Sequence, residues 1–476
     1  MAYQMSTFPA FGGVRMDLCD QLLNADASPD ACNVDTRSGA LRSATGFSRT
    51  VPDLLDTDEP LTRLYVYSTQ NGDRYFAVTS GTIYLYVAER RIWQPMFRFA
   101  SDTPGERIDF LKVRIGSLDR LLIANGSEQM LTFDASTDTM DSFGSAEKLS
   151  DKPVCFAELY FGRLFCAGDR TAPSRLYWSK APGDGRAIDD WRSDSAGENV
   201  SGGHVDVGVD DDPITGLFAM SNQLVITKRD SMYRLLGDRP SNYRIVKIDA
   251  SFRQPLHTAC VRYADRLFFL TDTGLCWYDG QTVRRSAGSH ALAPLLKQAD
   301  LSAARAAGND DLLYFAFGSR VGLPCNDIVV EYDVLRDRFM QRSGFTAADL
   351  CASHGMLYGL TGAGKLVEFD NNNTYDGDPI HAYWQTPRID FGHKETDKTL
   401  LSLIASGSGR LRVRAASNGG VYETDTLLSS VDNSVTEIPL RGKGRLFSLR
   451  FSSVNGAPFT LDAPVALLFD QQRRPM

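Results

Sequence analysis

The sequence lacks the features that mark a membrane protein or an exported protein. No stretch of the 476 residues reaches about 18 consecutive apolar positions, the length needed to cross a bilayer. The first twenty residues contain no basic start followed by an apolar run, so we expect no signal peptide. These absences predict a chain that does not act at a membrane.

Cysteine is present, but not in a spacing that binds zinc or supports redox chemistry, because no Cys-x-x-Cys pair occurs. Most of the cysteines fall within apolar, strand-like runs. We therefore expect reduced cysteines that pack as small hydrophobic side chains in a chain folded in cytosol. The eight positions are Cys19, Cys32, Cys155, Cys166, Cys260, Cys276, Cys325 and Cys351.

The sequence has no excess of positive charge. It contains 51 Lys and Arg against 59 Asp and Glu, a net charge of −8, with both signs scattered along the chain. Such a balance argues against a protein that grips nucleic acid by its phosphates. It suits the wall of a passage that nucleic acid crosses without sticking.

Seven similar pairs of apolar runs organise the chain, and its length predicts two or three domains. Each pair is an apolar strand, a turn rich in Gly, Ser, Asp or Thr, and a second strand that ends in an aromatic residue. This is the signature of a β-hairpin, and a period of about 45 residues is typical of a four-stranded propeller blade. The pairs begin at Arg74, Arg120, Arg163, Gln223, Arg266, Leu312 and Met356.

The sequence thus predicts an all-β fold with three parts. Residues 55–372 form a seven-bladed β-propeller, whose long third repeat has an insertion between Ser179 and Asp211. Residues 1–54 form an N-terminal arm, and we expect its segment 31–50 to complete the seventh blade and close the ring. Residues 290–308, rich in Ala and Leu, are the one convincing helix candidate.

Residues 373–476 change pattern and predict a C-terminal β-sandwich, because alternating strands there are separated by Gly-rich turns. The segments "RLRVRAA" (410–416) and "RLFSLRFSS" (445–453) alternate charged or polar with apolar residues. Such alternation indicates that one face of the sheet is solvated or touches a partner.

An acidic segment is the first candidate for chemistry. Asp206, Asp210, Asp211 and Asp212 carry oxygens that calcium prefers. Adjacent residues of an extended chain point in opposite directions, so the carboxylates converge poorly, and a solvated turn is the favoured interpretation. His204 and Asp206 share one strand face, but no plausible Ser or Cys nucleophile accompanies them.

Two further motifs are weak. "LTDTGLCW" (270–277) keeps Asp272, Gly274 and Trp277 of a sialidase Asp box but occurs once, so we interpret it as a hairpin turn. "TGAGK" at Thr361 lacks the spacing of a phosphate-binding loop and precedes a strand. The sequence therefore predicts no catalytic residues, no metal ligands and no cofactor.

The N-terminal segment and the third and fourth repeats contain motifs that match a known family. In the arm, the matching residues are Phe11, Gly12, Gly13 and Val14, then Asn33, Val34 and Asp35, then Leu41, Arg42, Gly46 and Phe47. In the repeats they are "LYWS" (176–179), the acidic turn Asp210, Asp211 and Asp212, the segment "PITGL" (213–217), then Lys228, Ser231, Tyr233 and Leu235. Together these motifs resemble virion propeller proteins of tailed phages. The resemblance is to the tail hub or nozzle proteins of short-tailed phages, including tail tubular protein B-like and packaged-DNA-stabilising proteins.

This resemblance implies a structural virion protein made in the host cytoplasm, without enzymatic activity. It implies a cyclic homo-oligomer, expected to be a hexamer, below the head-to-tail adaptor and in contact with other tail or fibre proteins. DNA would pass through its channel without specific binding. Two alternatives stay open: a receptor- or glycan-binding tail protein, and a secreted propeller hydrolase, against which the missing signal peptide and catalytic constellation count.

Overall fold

The computed structural model describes residues 3–19, 22–70, 72–100, 108–115, 118–248, 259–369, 372–429 and 434–471. Its strands form eight sheets, seven of which are arranged as the blades of a β-propeller. The eighth sheet has ten strands and draws on both ends of the chain. The protein is therefore all-β, as the sequence predicts.

The N-terminal arm supplies five short strands to this architecture. They are β1 (Tyr3–Phe8), β2 (Ala31–Cys32), β3 (Val34–Asp35), β4 (Leu41–Ser43) and β5 (Phe47–Arg49).

Six blades are consecutive four-stranded antiparallel meanders, in which each strand pairs with the next along the chain. Blades 1 and 2 contain β6 (Leu61–Thr69), β7 (Gly72–Thr79), β8 (Thr82–Val87), β9 (Ile92–Arg98), β10 (Asp109–Ile115), β11 (Leu118–Ala124), β12 (Leu131–Asp134) and β13 (Thr139–Ser142). Blades 3 and 4 contain β14 (Phe156–Tyr160), β15 (Arg163–Ala167), β16 (Arg175–Trp178), β17 (Gly203–Asp206), β18 (Ile214–Met220), β19 (Gln223–Lys228), β20 (Met232–Leu236) and β21 (Arg244–Ile248). Blades 5 and 6 contain β22 (Cys260–Tyr263), β23 (Arg266–Thr271), β24 (Gly274–Tyr278), β25 (Val283–Arg285), β26 (Asp300–Asn309), β27 (Leu312–Gly318), β28 (Ile328–Asp333) and β29 (Arg338–Arg342).

The seventh blade is closed by a strand from the other end of the propeller sequence. Its first three strands are β30 (Asp349–Ser353), β31 (Met356–Leu360) and β32 (Leu366–Phe369), and β5 of the arm is the fourth. Two short strands, β33 (Thr374–Tyr375) and β34 (Asp378–Pro379), extend the same sheet. Closure in this way pairs an edge that would otherwise be open.

The seven predicted hairpins are confirmed, since β7–β8, β11–β12, β15–β16, β19–β20, β23–β24, β27–β28 and β31–β32 each pair antiparallel. Their apolar side chains form a separate buried cluster between each pair of neighbouring blades, including blades 7 and 1. Each blade therefore buries both faces, which explains why the hairpin strands are almost continuously apolar.

The prediction that segment 31–50 as a whole joins blade 7 is wrong. Only β5 does so, while β2, β3 and β4 belong to the ten-stranded sheet. Apolar side chains decide the partner, because Ala31, Val34 and Leu41 are buried in the core of that sheet and Phe47 in the core of blade 7.

The ten-stranded sheet folds over on itself and encloses one core, in the manner of the predicted sandwich. Besides β1–β4 it contains β35 (Tyr383–Gln385), β36 (Lys398–Ser417), β37 (Gly420–Leu428), β38 (Thr436–Gly444), β39 (Phe447–Ser453) and β40 (Phe459–Gln471). Strand β36 runs through both halves, because its first part pairs with β38 and its last part with β37 and β39. Gly407 lies between these parts and Gly409 begins the second part, with φ of 152° and 88°, values that favour glycine.

The helix prediction for residues 290–308 is wrong over most of its length. A 3-10 turn (Ala287–Leu292) leads into one short helix, α1 (Ala293–Leu296), and the chain then enters β26, the innermost strand of blade 6. Alanine favours helices, but here packing between blades 5, 6 and 7 outweighs that preference. Ala304 and Ala307 fill those two inter-blade clusters.

The insertion in the third repeat is shorter than predicted, because β17 lies inside the expected range and forms the outer strand of blade 3. The inserted loop between β16 and β17 is packed, with Trp191 buried and stacked on Tyr177 at 5.2 Å between ring centroids. Further 3-10 turns span Ala146–Lys148, Glu198–Val200 and Pro240–Asn242.

Candidate functional site

The acidic segment before β18 divides into two exposed carboxylates and one buried carboxylate. Asp210 and Asp211 are exposed, as the solvated-turn interpretation requires. Asp212 is buried, and it accepts hydrogen bonds from the backbone N–H of Asp230 (2.8 Å) and the hydroxyl of Ser231 (2.5 Å). Asp212 therefore holds the β19–β20 hairpin in place, and the three carboxylates do not converge on a common point.

Lys228 is fully buried beside this segment. Its ammonium group donates to the backbone carbonyls of Val207 and Val209 (2.9 Å for Val209) and to the hydroxyl of Ser174 at 3.3 Å. Burial lowers the pKa of Lys228, and the neighbouring aspartates oppose that effect. The side chain thus fastens the loop that leaves blade 3 to the first hairpin of blade 4.

The pair of His204 and Asp206 does not form a catalytic unit. Both lie on β17, but Asp206 accepts two hydrogen bonds from the guanidinium of Arg175, at 2.7 and 3.0 Å. Those hydrogen bonds lower the pKa of Asp206. Its carboxylate is therefore committed to Arg175 instead of orienting the imidazole.

The two weak motifs are hairpin turns. In the Asp-box-like segment, Thr271 Oγ1 donates to the carbonyl of Gly274 (2.8 Å), and the indole of Trp277 lies under the guanidinium of Arg266 at 4.5 Å. The "TGAGK" segment turns between β31 and β32, and its Lys365 forms an ion pair with Asp376 at 2.7 Å. Both segments perform structural roles.

Metal and thiol chemistry find no support in the described part of the chain. No group of three or more His, Cys, Asp or Glu side chains is placed there to hold a metal ion. The eight cysteines all lie in described segments, and none forms a disulfide. Burial raises the pKa of Cys351 to about 11, and also raises the pKa of Cys166 and Cys276, which disfavours the reactive thiolate.

Sequence reasoning missed a network of charges at the centre of the propeller. Asp349 opens inner strand β30 and lies 3.4 Å from Arg305 of β26 and 3.6 Å from Arg63 of β6. It also accepts a hydrogen bond of 2.7 Å from the backbone N–H of Leu64, and Arg305 donates to the carbonyl of Thr62 at 2.9 Å. The network thus joins blades 6, 7 and 1 around the propeller axis.

Carboxylates on inner strands also connect blades on the opposite side of the ring. Asp109 opens β10 and accepts from the backbone N–H of Ala157 in blade 3 at 3.3 Å, while Glu158 pairs with Arg262 of blade 5 at 3.2 Å. Burial raises the pKa of Asp109 to about 6 and that of Glu158 to about 7. A signal existed in the sequence, because two predicted inner strands, "DFLKVRI" and "DLCAS", both open with an aspartate.

The arm residues that carry the phage resemblance lie where the propeller meets the ten-stranded sheet. Asn33 is buried, and its amide donates to the carbonyls of Ser343 and His381 and accepts from the N–H of Ser343 and the hydroxyl of Tyr375, each at 3.0 Å. Phe11 packs edge-on against Trp384 at 5.0 Å between centroids.

Glycines of the same motif permit close backbone approach. A Cβ on Gly12 would lie 2.6 Å from the carbonyl oxygen of Asp26, and a Cβ on Gly13 would lie 2.8 Å from that of Phe339. A Cβ on Gly46 would overlap the carbonyl of Thr374. Packing and hydrogen bonding therefore explain Phe11, Gly12, Gly13, Asn33 and Gly46 of the arm motif.

No protein-family model matches the chain, and no curated protein matches it. Solved structures similar to it include a chain of the mitotic checkpoint complex (11% identity, TM-score 0.44, covering 68% of this chain and 93% of that chain). BamB from Moraxella catarrhalis is similar at 10% identity and a TM-score of 0.40, covering 77% of this chain and 97% of that chain. The extracellular domain of BT4673 from B. thetaiotaomicron shows 8% identity and a TM-score of 0.44, covering 90% of this chain and 63% of that chain.

With identities of 8–11% and TM-scores of 0.40–0.44, these likenesses carry no argument about the role of this chain. Across the described residues, no helix is long and apolar enough to span a membrane.

Proposed function

We propose that the chain is a structural virion protein of a tailed phage, acting as a hub or nozzle ring below the head-to-tail adaptor. In this role several copies, expected to be six, surround the tail axis and continue the channel through which DNA leaves the head. The protein performs no chemistry; it holds its neighbours in position and helps to retain packaged DNA.

The observation that supports this proposal is the structural use of the motif residues that carry the resemblance to phage proteins. Asn33, Asp212 and Lys228 are buried, and each makes hydrogen bonds that join separate segments. Residues of a catalytic motif would instead leave reactive groups facing a cleft.

Charge and geometry suit a passage between copies better than one through a propeller. The ion pairs of Asp349 and Glu158 occupy the centre of each propeller. The net charge of −8 per chain multiplies in a ring, which limits sticking of the DNA phosphates. The proposed channel therefore runs along the ring axis and is net acidic.

The alternative role in glycan binding has weaker support. Two clefts on the ten-stranded sheet, one lined in part by Arg414 and Arg450 and the other by Ile389 and Lys394, include no aromatic residue in their linings. Aromatic side chains are common platforms for ring-shaped ligands.

Mass measurement and imaging together test the proposal. The purified chain is mixed with the adaptor ring of the virion that carries it, and the mass of the complex is measured. We expect a closed ring on the adaptor, and a reconstruction of the virion should place it on the tail axis. Separate peripheral spikes, or a channel wall that is basic along its length, would refute the proposal.

A further inference from the structure

A cleft rich in arginine lies on the outer face of the ten-stranded sheet. We call it the arginine cleft; it has a volume of about 600 Å³. The polar side chains that matter here are Arg388, Arg414, Arg445, Arg450, Gln385 and Asn418. The cleft lies on the segments whose alternating pattern predicts a face that is solvated or touches a partner.

Two of these arginines face each other across neighbouring strands. Arg414 of β36 lies directly opposite Arg450 of β39 in the antiparallel register. Like charges in directly opposed positions destabilise a sheet. Natural sequences break a local rule of this kind chiefly at functional sites.

The carboxylate next to Arg414 already forms an ion pair with another arginine. Glu423 of β37 lies opposite Arg414 on its other side, but Glu423 forms its ion pair with Arg412 at 3.3 Å. Arg412 also pairs with Asp425 at 2.7 Å. Arg414 is exposed, and no carboxylate among the described residues lies within ion-pairing distance of it.

Two other arginines of the cleft are held in place by side chains outside its lining. The guanidinium of Arg450 stacks 3.6 Å above the ring of Tyr383 and lies 3.6 Å from Asp30. Arg445 pairs with Asp397 at 3.2 Å. Packing of this kind fixes guanidinium groups in advance, which lowers the entropic cost of binding.

We propose that the arginine cleft binds a short acidic segment of a polypeptide through the carboxylates of that segment. The planar guanidinium fork matches a carboxylate in a bidentate manner, and Gln385 and Asn418 add groups that can bond a peptide backbone. The cleft lining has no aromatic residue on which a sugar or a base could stack. The chain carries a net charge of −8, which disfavours a DNA duplex as the ligand.

The test measures binding of a short fluorescent poly-glutamate peptide to the full chain by anisotropy, with a poly-glutamine peptide of equal length as the control. We expect poly-glutamate alone to bind, and Arg414→Gln to weaken binding about tenfold, as expected for loss of a close charge pair. Arg410→Gln is the matched control, because Arg410 is exposed on the same strand but outside the cleft lining. It should change the affinity by less than about twofold.

The result supports the proposal only if the two arginine variants differ in affinity and neither unfolds below the wild-type temperature. Failure of poly-glutamate to bind at low salt would overturn it, and so would equal losses in both variants. Tighter, Arg414-dependent binding of a DNA duplex or of a sulfated oligosaccharide would also overturn it. The proposal does not depend on the role in the virion.

Discussion

The propeller and the ten-stranded sheet use β-strands in opposite ways. In the propeller, six blades are made of strands that follow one another along the chain. In the ten-stranded sheet, four strands come from the first 43 residues. Three of them, β1, β2 and β4, pair with strands of the C-terminal part, as Leu41 does with Leu461, and β3 pairs with β4. One region is thus assembled from local units, and the other exists only when both chain ends meet.

This difference predicts different tolerances to change. A propeller blade forms from contacts close in sequence, whereas the sheet requires closure of a loop of more than 400 residues between Arg42 and Thr460. Long-range closure costs entropy before its contacts stabilise the fold. The arm, which takes part in both regions, is the segment on which the molecule depends most.

The largest effect should follow removal of residues 1–50. This deletion takes four strands from the ten-stranded sheet and the closing strand from blade 7, so both regions are left with open edges. We expect aggregated protein, measured as the soluble fraction after expression. Removal of residues 1–7 alone takes most of the edge strand β1 and should leave soluble protein. A soluble, equally stable chain after the longer deletion would contradict this account of closure.

A smaller but still large effect is expected at the propeller centre. Asp349→Ala leaves Arg305 buried without its carboxylate and the N–H of Leu64 without its acceptor. Removing one partner of a buried ion pair costs about 3–5 kcal/mol, and we expect a loss of that order in urea-induced unfolding. Asp378→Ala, at an exposed position, is the control. Similar losses of unfolding free energy in both variants would show that Asp349 stabilises the fold no more than an exposed aspartate does.

At the junction of the two regions, Asn33→Asp should destabilise by about 2–4 kcal/mol. The substitution keeps the shape but removes two donors, which leaves the carbonyls of Ser343 and His381 unsatisfied and buries a charge. Asn455→Asp is a matched control, because Asn455 has a similar positive φ (53° against 56°) but is exposed. If the unfolding temperature falls equally in both variants, the buried hydrogen bonds of Asn33 contribute little to stability.

The smallest effect concerns pH. Burial raises the pKa of Glu158 to about 7, so the folded state binds a proton that the unfolded state releases near pH 4.5. The stability from this group is complete below pH 4.5 and is lost as the pH rises through about 7. Because one pKa unit corresponds to about 1.4 kcal/mol, we expect this group to lower the unfolding free energy of the wild type by a value on the order of 1–3 kcal/mol between pH 5 and pH 8. Glu158→Gln should not show this decrease.

The measurement for Glu158→Gln is the free energy of unfolding at several pH values. Glu89→Gln, at an exposed turn, should keep the pH dependence of the wild type. An unchanged pH profile in Glu158→Gln would show that Arg262 keeps this carboxylate ionised.

The candidate site was predictable only in part. The exposed Asp210 and Asp211 agree with the predicted solvated turn, but the burial of Asp212 requires the β19–β20 hairpin beside it. The alternating segments "RLRVRAA" and "RLFSLRFSS" predicted a face that is solvated or touches a partner, and the arginine cleft lies on these segments. The opposition of Arg414 and Arg450, however, depends on a strand register that no local pattern specifies.

The amino-acid sequence was enough to predict the all-β class, the seven hairpins and their period, because a hairpin depends on residues that are neighbours along the chain. Three outcomes were visible only in the folded chain: β2–β4 belong to the ten-stranded sheet, residues 300–309 form a strand instead of a helix, and Asp349 lies beside Arg305. These outcomes are settled by burial between elements distant in sequence. A short strand or an alanine-rich segment has several local options, and the free energy of packing against its final neighbours selects among them.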